Sequence, residues 1–242
     1  MIEIWLTDTD TVAEQDSELQ ELIDPDERAR ADRIPDGPRR HRYLTAHAAT
    51  RRLTAAAAGV PPERVRWRRG PHRRPEPAGL EGELSVDLSA AGRWALFAVQ
   101  RLGTGGEGQV GVDLEPVPAD RAAARVARRS CPASETDGGA DEFTRRWTRK
   151  EACTKAYGGR LADGLRTPVG APGGPGPHRV DGPLGPCTLH DLPAPPGHRA
   201  AVARTGVRPI RPTLLSCPAD PARQFGVHRT PAAPGPDHRG RP

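Results

Sequence analysis

Lysine is almost missing from this chain: of its 36 basic residues only Lys150 and Lys155 are lysines, the rest being arginine. Under so strong an arginine bias, two lysines five positions apart point to chemistry that wants a compact ammonium rather than a planar fork. Cysteine is also scarce. The four, at 131, 153, 187 and 217, form no C-x-x-C pair and have no histidine spaced to complete a zinc knuckle, so a structural zinc site is excluded and reduced thiols are expected. Hydrophobic residues reach only 35%, against 27 glycines and 28 prolines, so the compact part must be smaller than the full 242 residues. No apolar run approaches the ~20 residues of a membrane span. The opening Met-Ile-Glu-Ile-Trp lacks a basic region followed by an apolar one, so a cytoplasmic protein is expected. The net charge of +5 favours an anionic partner without choosing among nucleotide, acidic protein and nucleic acid.

What is present has a readable order. Residues 2–6 resemble a short strand, and Asp24-Pro25-Asp26-Glu27 supplies an N-cap, a first-turn proline and a capping-box acid, so a helix starts near 25. A second helix is expected from Arg39 to Ala58, stopped by Gly59. Gly70, Pro71 and Pro75 then forbid regular structure over the basic stretch 66–77. Leu84, Val86 and Leu88 alternate with Ser85 and Asp87, and a turn at Ala91-Gly92 leads to the apolar run 94–99. Val110, Val112 and Leu114 alternate again and are expected to add a third strand to that hairpin. A helix follows over 141–157, stopped by Gly158-Gly159. The Gly/Pro-rich stretch 170–186 reads as loop, with edge strands at 187–192 and 198–203. Eight prolines from 206 onward predict a disordered tail, leaving halves at 1–103 and 104–205 and a tail at 206–242.

Two clusters carry chemistry. Asp113 and Glu115 are two apart on a strand and leave the same face, with Cα atoms roughly 6.5 to 7 Å apart. Acids that close repel unless a cation lies between them, although exposed edge strands also carry acids for solubility alone. Gly111 is expected to leave room for a ligand beside them. Trp147, Glu151 and Lys155 repeat at four-residue intervals and share a helix stripe, which taken alone is an ordinary ion-pair pattern. Three carboxylates without a histidine or cysteine ligand suit a hard, oxygen-preferring ion such as Mg²⁺, or Mn²⁺, and therefore a pyrophosphate substrate.

Gly111-Val112-Asp113-Leu114-Glu115 and Trp147-Thr148-Arg149-Lys150-Glu151-Ala152-Cys153-Thr154-Lys155-Ala156 resemble the two signature motifs of surfactin-type 4'-phosphopantetheinyl transferases, a superfamily that includes holo-acyl-carrier-protein synthases. Weaker similarity at 41–52, 73–75 and 88–89 extends the resemblance over roughly residues 1–204. It implies an α+β fold of two pseudo-repeated halves, each with a small antiparallel sheet packed on helices, and an active site in the cleft between them. It implies a metal on Asp113, Glu115 and Glu151, with Glu151 and Lys155 catalytic and Lys155 at the pantetheine-side phosphate. Arg42, Arg74 and Ser89 are implied to reach the coenzyme from the first half. The implied substrates are coenzyme A and an acyl, polyketide or peptidyl carrier protein, with no nucleic-acid or membrane partner and a monomeric state.

One departure stands out: the family's hairpin usually reads Ser-His-Ser-Gly, with the histidine touching the coenzyme, and here it reads Ser89-Ala90-Ala91-Gly92. Losing such a contact weakens coenzyme binding by ~1.5 to 3 kcal/mol unless a neighbour such as Arg93 replaces it. A degenerate member that binds coenzyme A or a carrier without transfer is therefore the alternative. Gly103 to Gly108 matches G-x-G-x-x-G but leads into a strand, not the helix a dinucleotide site needs. The six arginines of 64–74 surround Trp67 without any recognised nucleic-acid module. Ser89 lacks a G-x-S-x-G elbow.

Overall fold

A computed structural model describes residues 2–70, 74–80, 82–102, 108–170 and 177–216. Both halves repeat one plan. The first runs β1 (Ile2–Asp8), α1 (Asp16–Leu22), α2 (Pro25–Ala31), α3 (Pro38–Ala58), a two-stranded ribbon of β2 (Trp67–Arg69) and β3 (Pro75–Pro77), then β4 (Leu84–Ala91) and β5 (Trp94–Arg101). The second runs β6 (Val110–Pro116), α4 (Asp120–Ser130), α5 (Gly139–Ala156), α6 (Leu161–Leu165), β7 (His178–Gly182), β8 (Gly185–Leu192) and β9 (His198–Thr205). A last strand, β10 (Pro212–Ser216), returns to the first half. The sheet orders are β10-β1-β5-β4 and β6-β9-β8-β7. In each half, therefore, the opening strand pairs with the closing one, and the expected α+β pseudo-repeat is present.

Local sequence explains the elements that were foreseen. Asp24 accepts the Glu27 amide while Glu27 accepts the Asp24 amide, a complete capping box. Gly59 ends α3 with φ of 70°, a left-handed conformation that glycine adopts without a side-chain penalty. Alternation sorts the strand faces. Ile2, Ile4, Leu96 and Ala98 meet Val110, Val112, Leu114 and Val202 in a core between the two sheets. Trp5, Phe97 and Val86 pack on Ala46 and Leu53 of α3, while Ala201, Ala203 and Leu189 pack on Ala152 and Ala156 of α5. The helices thus cover the outer faces and the sheets meet in the middle.

Five expectations change. The stretch 170–186, expected to be loop, holds β7 and the start of β8, which pair antiparallel. β6 does not extend the β4–β5 hairpin; it pairs antiparallel with β9 in the other sheet, and β9 is a central strand rather than an edge. The basic stretch after 66 is not wholly irregular, since Trp67, Arg68 and Arg69 pair with Pro77, Glu76 and Pro75. A disordered tail beginning at 206 is also overturned: Pro212 through Ser216 pair in parallel with Ile2 through Leu6, so the first sheet draws on residues beyond its half. Proline suits the first position of such an edge strand because no ladder donor is needed there. Finally, Cys153 on α5 and Cys187 on β8 are disulfide-bonded, with Cα atoms 6.5 Å apart, so they are not the reduced thiols expected. Residues 103–107 of the G-x-G-x-x-G run, Arg73 and residues 217–242, with Cys217, lie outside the described residues.

Candidate active site

β6 is an edge strand of its sheet, and β4 is an edge strand of the other. They meet through side chains. The amides of Val110, Val112 and Leu114 donate to Ser85 Oγ (2.9 Å), Asp87 Oδ2 (2.8 Å) and Ser89 Oγ (3.2 Å), each pair 25 residues apart in sequence. The constant offset means that the two strands run in the same direction. This ladder satisfies the edge amides of β6, which burial would otherwise leave unpaired at a cost of about 1–3 kcal/mol each.

The opposite face of β6 looks onto α5. A Cβ on Gly111 would lie 2.2 Å from the Ala152 carbonyl oxygen and 2.5 Å from the Ala156 nitrogen. Gly111 therefore lets the helix approach the strand, and the room it provides is taken by α5 backbone rather than by a ligand. The close approach brings Glu151 and Lys155 to Asp113 and Glu115. One carboxylate oxygen from each of Asp113, Glu115 and Glu151 lies within 4.8 Å of the others. Asp113 is only 1% exposed, while both glutamates are half-buried.

Lys155 does not make the helical ion pair with Glu151. Its Nζ crosses to β6, donating to Asp113 Oδ1 at 2.7 Å and to the Val112 carbonyl at 3.0 Å. Burial opposes its charge, but Asp113, Asp87 and Glu151 more than compensate and raise its pKa. Ser89 donates to the same Asp113 Oδ1 at 3.0 Å. The other oxygen, Asp113 Oδ2, is buried and makes no hydrogen bond among the described residues. Glu115 is pushed up to about 7 by burial and then by repulsion from Asp113 and Glu151. Burial, followed by Asp113, also raises Glu151, against the pull of Lys155 and a hydrogen bond from Trp147.

Crowded, proton-hungry carboxylates around an orphaned buried oxygen fit a divalent cation with oxygen ligands. Chemically the arrangement is an anionic pocket with one fixed ammonium beside it, suited to clamping a phosphate through a shared ion.

The remaining expected residues are placed differently. Arg42 pairs bidentately with Asp10 at 2.6 and 2.7 Å and lines a cavity of about 470 Å³ with His47, Leu88, Ala90 and Trp94. Arg93 is bound to Asp8 and lies 5.8 Å from the centre of the Trp94 ring. Arg74 lines a separate cleft of about 230 Å³ with Ser85, Gln109 and Tyr157. Its terminal nitrogens donate to the carbonyls of Lys155 (2.7 Å), Ala156 (3.0 Å), Val86 (3.3 Å) and Val110 (2.6 Å). Arg74 thus joins the end of α5 to β4 and β6 through all four terminal N–H groups. None of the three acids lines either cavity. Ser89 likewise faces Asp113 rather than an open cleft.

Asp87 was missed as a site residue. Its signal was legible: Ser85, Asp87 and Ser89 repeat every second residue, as do Val110, Val112 and Leu114. Alternation alone suggests a solvated face instead.

Residues 109–170, which span β6 through α6, match the family described as the 4'-phosphopantetheinyl transferase superfamily. In its pseudo-repeated fold and in the motif residues gathered at one place, the chain is similar to that superfamily. It is 29% identical over 172 residues to a Synechocystis sp. protein provisionally described as a 4'-phosphopantetheinyl transferase, covering 67% of each chain.

No helix among the described residues is long and apolar enough to cross a membrane.

Proposed function

We propose that the protein transfers the 4'-phosphopantetheine group of coenzyme A to a serine hydroxyl of an apo acyl or peptidyl carrier protein, releasing 3',5'-ADP. The observation that carries this reading is the buried, unpartnered Asp113 Oδ2 among three mutually repelling carboxylates beside a fixed ammonium. Asp113, Glu115 and Glu151 would hold Mg²⁺ or Mn²⁺, which when bound supplies charge neutralisation for the pyrophosphate. Phosphoryl transfer requires positioning and electrostatic stabilisation more than covalent help.

The protein's own residues divide that work. Lys155 keeps its charge and, tied to Val112 and Asp113, meets negative charge growing on the transferring phosphate. Glu151 stands on the helix face beside the acids, a position suited to taking the serine proton as it attacks the β-phosphate. Arg42 binds a coenzyme phosphate by exchanging Asp10 for it, since a guanidinium fork matches either anion.

A second reading, a binder of coenzyme A or carrier without transfer, is favoured by Ala90 in the cavity wall and by the engagement of Arg74 with carbonyls. Intact-mass measurement on apo carriers incubated with protein, coenzyme A and Mg²⁺ separates the two. Chelator-sensitive addition to the carrier serine is the expected result. Retained coenzyme binding with no addition to any carrier supports the second reading.

A further inference from the structure

We propose that Asp87 is a positioning residue for the Asp113 carboxylate, holding the Val112 amide, one residue before it, from the opposite half of the molecule. The inference rests on the metal-site reading above and adds a residue outside both signature motifs. Five contacts lead to it. The Val112 amide donates to Asp87 Oδ2 at 2.8 Å, and the Val112 carbonyl accepts from Lys155 at 3.0 Å, so this residue is gripped at both ends. One rung further along the ladder, Ser89 accepts the Leu114 amide and donates to Asp113 Oδ1. Lys155 occupies that same oxygen, which leaves Oδ2 as the one presented.

The central rung decides where the acids lie. A slip of one residue along β6 would turn Asp113 and Glu115 away from α5 and bring Val112 and Leu114 onto it, because side chains alternate with a period of two. β9 sets the register of β6 from one edge, and the Ser85-Asp87-Ser89 ladder sets it from the other. Of the three rungs, Asp87 takes the amide one residue before Asp113, on the same residue whose carbonyl Lys155 holds.

The test uses the full chain and Mn²⁺ alone as probe, with binding followed by electron paramagnetic resonance and amide exchange followed at Val112 and Leu114. Asp87→Ala is expected to weaken Mn²⁺ binding by about tenfold, as loss of an outer-shell partner commonly does. It should also speed exchange at Val112. Asp87→Asn, which still offers an oxygen to that amide, should restore slow exchange and recover most of the affinity. Ser85→Ala, the rung farthest from Asp113, should leave Mn²⁺ binding close to wild type.

A folded Asp87→Ala protein with wild-type Mn²⁺ affinity and wild-type exchange would overturn the proposal. If Asp87→Ala does not fold, Ser89→Ala and Asp87→Asn decide: wild-type Mn²⁺ affinity in Ser89→Ala together with fast Val112 exchange in Asp87→Asn would equally overturn it. Wild-type protein that binds no Mn²⁺ would instead sink the metal-site reading, leaving the exchange measurements to judge whether Asp87 holds β6.

Discussion

The two long helices are built around the same device and differ only beside it. On α3, Arg51 is buried, bound to the Val65 carbonyl and paired with Glu27 at 3.3 Å. On α5, Lys150 is 0% exposed, bound to the Thr167 carbonyl and paired with Glu135 at 2.6 Å. Each cation fastens its helix to a preceding acid and a following loop. One position further on, α3 carries Arg52, spent on Glu14, whereas α5 carries Glu151. Five positions further on, α3 has Ala56 and α5 has Lys155. The opposing strands diverge in the same way, since β1 sends Trp5 toward its helix and β6 sends Asp113. The shared ion pair belongs to the frame, and the chemistry was placed on neighbouring positions of one copy.

Four measurements break or sharpen that contrast. Glu151→Gln should lower carrier modification by at least about a hundredfold, the scale of losing a transition-state charge contact, while the unfolding midpoint stays near wild type. Turnover at the wild-type rate would remove Glu151 from the site. Lys150→Ala should cost about 3–5 kcal/mol in denaturant unfolding, because it leaves the buried Glu135 without its cation; Arg51→Ala should cost less, because Glu27 keeps the Asp24 amide and His47. No loss in either variant would end the parallel between the halves. Gly111→Ala should cost about 1–3 kcal/mol by forcing β6 off α5, and carrier modification should fall with it.

The smallest effect is on pH. Glu115 titrates near 7 in the folded protein, above its usual value of 4.5, so the folded state holds that proton more tightly than the unfolded one. Its contribution to stability is therefore present below pH ~4.5 and lost as pH rises through about 7. Metal-free protein should melt lower at pH ~8 than at pH ~5 on this account. Mg²⁺ should raise the midpoint more at the higher pH, and Glu115→Gln should flatten the profile.

Much of this was legible because local chemistry decided it. The capping box at 24–27, the Gly59 stop and the i, i+4 stripe of α5 need no tertiary information, and α3 and α5 fall within two residues of the expected ranges. The motif acids were readable for a similar reason, since two carboxylates on one strand face announce a charge problem. Partner choice was not readable. Val110, Val112 and Leu114 would alternate identically beside β5 or β9, and only the packing of the two halves decides between them. The carbonyl contacts of Arg74 were not readable either, because a guanidinium suited to phosphate suits four carbonyls as well. β10 was hidden by its prolines, which mark an edge strand and an unstructured tail alike.

That last strand also bears on the order of assembly. Ile2 through Leu6 are made well before their partners on one side, Pro212 through Ser216. Contacts so distant along the chain carry a large closure entropy and form late. During synthesis the first half must wait with an open sheet edge while the whole second half emerges from the ribosome, an interval in which edge-to-edge association is its main hazard.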